Sequence, residues 1–142
     1  MVALRDAGHP LPAAGVCISP WVDLECVGES MTERAADDWN SRELSLPLAQ
    51  LYLDGLDPRT PLAAPLHADL TGLPPLFIQV GTAEVLYDDA TRLAARARAA
   101  DVVVTLDPWD DMIHDWSLFP DVLPEAQEAI ERLGEFPRTH AV

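Results

Sequence analysis

Two residues of this sequence, Glu84 and His114, have the types and placement for general acid–base chemistry. Glu84 follows a strand-like apolar run, Leu76-Phe77-Ile78-Gln79-Val80-Gly81. His114 closes the segment Trp109-Asp110-Asp111-Met112-Ile113-His114, after a second such run, Val102-Val103-Val104-Thr105-Leu106. A carboxylate that accepts a hydrogen bond from one imidazole nitrogen fixes the tautomer and stabilises the imidazolium. The other nitrogen is then free to take a proton from a nucleophile. The chain between the two residues has room for one helix and one strand. That predicts both on loops at the carboxyl edge of a parallel sheet, where chemistry collects in open α/β sheets. Spacing alone leaves a second reading open, an exposed loop glutamate and a structural histidine. No Gly-x-Ser-x-Gly and no His-Gly-Gly occurs in the 142 residues, so no nucleophile motif accompanies the pair.

The elements that must position these residues are legible as apolar runs and breakers. Three short apolar runs predict parallel strands near residues 15–19, 76–80 and 102–106, the last dense in β-branched side chains. Strands alternating with helices indicate an α/β fold. Residues 1–8 read as the end of a helix capped by Gly8, with Pro10 and Pro12 preventing continuation. Residues 22–54 form a lid-like connecting region. Residues 22–44 are mixed and acidic, with one short helix at most. Pro47 then opens a helix with Leu48, Leu51 and Tyr52 on one face, ended by Gly55. Five prolines between residues 56 and 75 predict an extended surface connection rather than a domain boundary, because Leu62, Leu66 and Leu70 recur through it. Asp88 and Asp89 begin a helix running to about Ala100, with acids at its start and Arg96 and Arg98 near its end to suit the macrodipole. Pro124 starts a last helix with Ala126, Ile130 and Leu133 on one face. Gly134 ends it, and residues 137–142 are expected to be a disordered tail. The whole chain, 1–142, reads as part of a single domain.

Composition narrows the function classes. Nine basic and 24 acidic residues give a net charge of −15. Such a surface repels phosphate backbones and anionic lipid heads, which argues against nucleic acid and membrane-surface partners. No apolar stretch reaches the length of about 18 residues that a membrane span needs, and no basic segment precedes an apolar core at the N-terminus. Cys17 and Cys26 are too few for a disulfide scaffold. Cys17 reads as a small buried hydrophobe, Cys26 as a free loop thiol, and the setting as reduced and cytoplasmic. Trp21, Trp39, Trp109 and Trp116 read as core or lid packing, with an acyl-pocket lining as the alternative. Asp110, Asp111 and Asp115 cluster around His114 without a second histidine at ligand spacing, so no metal or other cofactor is predicted. The aspartates instead shape the loop and raise the pKa of His114 if they lie close to it.

The segments Gly15-Val16-Cys17-Ile18-Ser19-Pro20-Trp21-Val22-Asp23-Leu24, Asp57-Pro58-Arg59 with Pro61-Leu62-Ala63-Ala64-Pro65-Leu66, Leu73-Pro74-Pro75-Leu76 with Gln79-Val80-Gly81, and Asp111-Met112-Ile113-His114 occur in this order. Together they resemble the hormone-sensitive-lipase-like branch of the α/β-hydrolases, a branch that includes many bacterial carboxylesterases. The resemblance spans about Ala3 to Phe136. It implies a triad in the order serine, acid, histidine. The acid segment matches Glu84-Val85-Leu86-Tyr87-Asp88-Asp89, which makes Glu84 the acid where aspartate is commoner. Asp88 is the rival assignment and is read instead as the helix N-terminal acid. His114 matches the catalytic histidine. His9, His67 and His140 match no motif.

The resemblance also implies what these residues lack. In the family the nucleophile elbow immediately precedes the helix whose end matches Met1 to Gly8, and the oxyanion loop lies further upstream. Ser19 is a strand-end residue in that pattern, and Ser30, Ser41, Ser45 and Ser117 have no elbow context. The chain therefore reads as the C-terminal half of a serine carboxylic-ester hydrolase, a partial α/β-hydrolase fold with part of a lid. A small-molecule ester is its substrate once an N-terminal half completes it. The alternatives are a non-catalytic remnant or interaction module with the same fold, and an enzyme using another nucleophile. Without the neighbouring half, the strand near residues 15–19 is an open edge, which predicts self-association.

Overall fold

The structure is a computed structural model that describes residues 1–140. Its centre is a three-stranded parallel sheet in the order β1 (Gly15–Ile18), β2 (Leu76–Gly81), β3 (Val104–Trp109). Gly15 lies opposite Leu76, and Leu76 opposite Val104. The middle strand β2 is buried along its whole length, which explains its continuous apolar run. Leu76, Ile78 and Val80 point to one face and pack on Ala90, Leu93, Ala94 and Ala97 of α4 (Tyr87–Ala99). Phe77 and Gln79 point to the other. There the Phe77 ring meets Phe136 at 5.2 Å, and the Gln79 amide donates to the Ala129 carbonyl at 3.3 Å. Both partners belong to α5 (Pro124–His140), so one helix covers each face.

The remaining elements connect these layers. α1 (Val2–Asp6) ends as expected at Gly8, whose φ of +70° lets the His9 amide reach back to Leu4 O at 2.9 Å. Between β1 and β2 lie α2 (Ser30–Glu33), α3 (Arg42–Leu53) and a short helical turn at Pro65–His67. Among the described residues no helix is long and apolar enough to cross a membrane.

Several boundaries differ from the expectation, each for a local reason. α3 begins at Arg42, not at Pro47, because the Ser41 hydroxyl caps it by accepting the Leu44 amide at 3.3 Å. Pro47 is carried inside the helix, and the left-handed Asp54 ends it. β3 runs from Val104 to Trp109 rather than over 102–106. Val102 is still tied back to α4 through Ala97 O. The ladder also tolerates Pro108, because β3 is an edge strand among the described residues. α5 does not stop at Gly134 but continues through Pro137 to His140. Phe136 stacks on Phe77, and the His140 ring lies 4.3 Å from Phe136, so packing holds turns that local propensity would release. The expected tail is thus helical over 137–140, while residues 141 and 142 lie outside the described residues. Cys26 is not an open loop thiol but is buried against Met31, Val85 and Leu86. Burial, with the nearby Asp89 charge, pushes its thiol up to about 11. Cys17 is half-buried against the α4 face.

Candidate active site

Two loops leave the carboxyl edge of the sheet side by side. The first, after β2, carries Glu84 into α4. The second, after β3, carries His114. Their main chains are stitched together: Thr82 N donates to Trp109 O at 2.8 Å, and Ala83 N to Met112 O at 3.0 Å. Asp111 N adds a bond to the Thr82 hydroxyl at 3.0 Å, in a turn that Asp111 makes with a left-handed φ of +61°. Gly81 permits this contact. A Cβ there would collide with the Met112 carbonyl, so the glycine ending β2 is what lets the second loop close over the first.

Glu84 is fully buried, and its two oxygens have different surroundings. Oε2 accepts the Ser19 hydroxyl at 2.7 Å and the Gly81 amide at 3.3 Å. Oε1 faces His114 Nδ1 at 4.0 Å, and neither atom has another partner. The separation is about 1 Å longer than a hydrogen bond, so the two atoms face each other without bonding. His114 Nε2 lies 3.4 Å from Asp115 Oδ2. Burial alone would lower the imidazole's pKa, but Glu84, Asp115 and Asp38 outweigh it and hold the group above its ordinary value.

The rival acid, Asp88, is turned elsewhere. Its carboxylate accepts the Ser30 amide at 3.0 Å, and its own amide donates to the Ser30 hydroxyl at 3.1 Å, joining the start of α4 to α2. Of the aspartates flanking His114, Asp115 is at the imidazole, Asp111 shapes the turn and Asp110 is exposed. The serines have structural partners: Ser19 holds Glu84, Ser30 donates to Val85 O, Ser41 caps α3 and Ser45 donates to Asn40. Ser117 is buried. Away from the pair, His9 is exposed, and the His140 ring binds Phe136 O.

The tryptophans divide by role. Trp109 and Trp116 pack on each other in the core with Ala126 and Ala129. Trp21 lines a cleft of about 370 Å³ with Leu24, Leu48, Tyr52 and Ala63. Trp39, 60% exposed, sets its ring 5.1 Å from the His114 ring and donates to His114 O at 2.9 Å.

Sequence reasoning missed three acids with structural work. Asp38 contacts both loops. Asp89 is buried and accepts the Val22 and Asp23 amides, each at 2.8 Å, which fixes the chain just past β1. Only its position in the first turn of α4, one residue from Asp88, hinted at it. Asp23, together with Glu25 and His67, places ligand-type atoms within 4.8 Å of one another. Their charge is already met, however, by Arg92 on Asp23 at 2.7 Å and Arg59 on Glu25 at 2.8 Å, so the cluster reads as an ion-pair network.

Residues 1–118 match the family model described as alpha/beta hydrolase fold. An acetyl-hydrolase of Streptomyces hygroscopicus is 55% identical over 96% of this chain and 46% of its own length. An esterase of Acinetobacter venetianus is 32% identical over 94% of this chain and 45% of its own. Among solved structures, an esterase from the bacterial hormone-sensitive lipase family superposes with a TM-score of 0.96 at 54% identity, over 98% of this chain and 47% of that one. A hormone-sensitive lipase from a metagenome library gives 0.96 at 34% identity, over 99% and 49%. The chain thus spans about half the length of the relatives it matches.

Proposed function

The chain belongs to the hormone-sensitive-lipase-like branch of the alpha/beta hydrolase fold, and on that premise we propose that it is the C-terminal, acid-and-base half of a serine carboxylic-ester hydrolase. Glu84 is the acid, His114 the base, and the nucleophilic serine and oxyanion donors come from outside these 142 residues. The observation that carries this reading is the pairing of two buried, otherwise unpartnered atoms, Glu84 Oε1 and His114 Nδ1, across 4.0 Å.

The chemistry follows from the two ends of the imidazole. Nδ1–H points toward Glu84, and Nε2, which faces Asp115 Oδ2 at 3.4 Å, is the basic atom once the serine hydroxyl takes that place. Nε2 takes the serine proton as the serine oxygen bonds to the ester carbonyl carbon. It then returns that proton to the departing alkoxide as the carbon–oxygen bond breaks. Water repeats the sequence to release the acid. The acidic surroundings that raise the pKa of His114 also stabilise the imidazolium formed in between.

The test uses p-nitrophenyl acetate, since a 55% identical relative is an acetyl-hydrolase. The chain alone should turn it over negligibly, because neither nucleophile elbow nor oxyanion loop is present in it. Mixing it with a separately expressed N-terminal half from a family member should produce hydrolysis, and His114→Ala should abolish it. Turnover by the chain alone that disappears in His114→Ala would mean that these residues supply a nucleophile of their own, and would overturn the half-enzyme reading.

A further inference from the structure

Asp38 sits in the turn between α2 and α3, 47 residues from Val85 and 76 from His114 in sequence. Its two carboxylate oxygens bind different loops. Oδ2 accepts the Val85 amide at 2.9 Å, the peptide immediately after Glu84. Oδ1 accepts the His114 amide at 3.1 Å. The next residue, Trp39, donates to the His114 carbonyl at 2.9 Å. Consecutive side chains of one turn therefore hold both main-chain groups of the histidine.

This bridge reaches where the direct stitching does not. The bonds between the two loops involve Thr82, Ala83, Trp109, Asp111 and Met112. Past Met112, among the described residues, the hydrogen-bonded link between His114 and the acid loop runs through Asp38. The turn that presents Asp38 is itself braced. The Asp37 and Asp38 amides donate to Arg34 O at 3.1 and 3.2 Å, and Asn40 Oδ1 accepts from Ser41 N and Ser45 Oγ at the start of α3.

We propose that Asp38 is a positioning residue for the acid–base pair: by gripping Val85 N and His114 N with one rigid carboxylate, it sets the distance between Glu84 and His114. The inference rests on reading those two residues as acid and base. A carboxylate suits the task because each of its oxygens accepts a charge-assisted bond from a different amide. An asparagine has one acceptor oxygen and can hold only one of the two loops.

The experiment follows the His114 ring by NMR across pH in the whole chain, with His114→Gln to assign its signal. The charged groups facing the ring are Glu84 from the acid loop, Asp115 from its own loop and Asp38 from the turn. Glu84→Gln should lower the His114 titration midpoint, and so should Asp38→Ala. When both changes are combined, the contribution of Asp38 should shrink by at least half, because it acts mainly through the Glu84–His114 distance. Equal effects in the two backgrounds would be simple through-space charge and would overturn the proposal. No response to Glu84→Gln would instead overturn the pairing itself, and the proposal with it. Amide hydrogen exchange gives a second readout that does not depend on titration. Val85 and His114 should both lose protection in Asp38→Ala, and only one of them in Asp38→Asn. Protection unchanged at both amides in a folded Asp38→Ala would also overturn the proposal.

Discussion

Ser19 donates its hydroxyl to Glu84 Oε2 at 2.7 Å, and it does so from a backbone φ of +40°, a region that L side chains enter at a cost. The strain has a geometric purpose. Leaving β1 in this conformation turns the hydroxyl inward, beneath the acid loop, while Ser19 N remains bonded to Gln79 O at 2.9 Å. Glu84 Oε2 is thereby occupied, and Oε1 is the oxygen left to face the imidazole.

Replacing Ser19 separates these two contributions. Ser19→Ala removes a bond to a buried carboxylate and keeps the strain, so it should destabilise the fold by about 1.5–3 kcal/mol. Ser19→Gly removes the same bond but relieves the φ, and should recover about 1 kcal/mol of that loss. Urea denaturation midpoints measure both. An alanine variant as stable as the original would mean that the hydroxyl–carboxylate bond is absent in solution.

Asp89 should make stability fall as pH rises across a defined window. Burial raises its pKa to about 6 from the usual 3.8, against the opposing pull of the Val22 and Asp23 amides. Between those values the folded chain binds more protons than the unfolded one. The stabilisation is therefore full below about 3.8 and lost as pH climbs through about 6. A displacement of this size is worth at most roughly 3 kcal/mol. The difference in unfolding free energy between the original chain and Asp89→Asn, measured from pH 4 to pH 7, should shift in favour of asparagine with rising pH. A difference that stays flat would mean Asp89 titrates like an exposed carboxylate.

The β1 edge should drive self-association. Among the described residues β1 pairs only with β2, and its Val16 and Ile18 side chains are 38% and 43% exposed on the α5 side of the sheet. An unpaired apolar edge recruits another strand, while the charge of −15 opposes contact and is screened by salt. Sedimentation should show concentration-dependent dimers or larger species, stronger at high salt and weakened by Ile18→Lys. A chain that stays monomeric at every concentration and salt level would refute this.

The sequence by itself determined the α/β class, the three parallel strands and the order of the helices, because each is written in local periodicity: apolar runs for β1 and β2, and Asp and Arg at the ends of α4. It also brought Glu84 and His114 into view as a pair, since both follow strands that end at one sheet edge. Only the tertiary structure decided how they are held. Ser19 reaches Glu84 across 65 residues, and Asp38 spans 47 and 76 residues to reach the two loops. A single side-chain hydrogen bond over such a distance leaves no period or composition in the sequence. The same holds where propensity was overruled. The last turns of α5 persist past Gly134 because Phe136 finds Phe77 on β2, and Cys26 is buried because Val85 and Leu86 fold over it. Local pattern specifies elements, whereas contacts between residues far apart in the chain specify which oxygen of Glu84 is free.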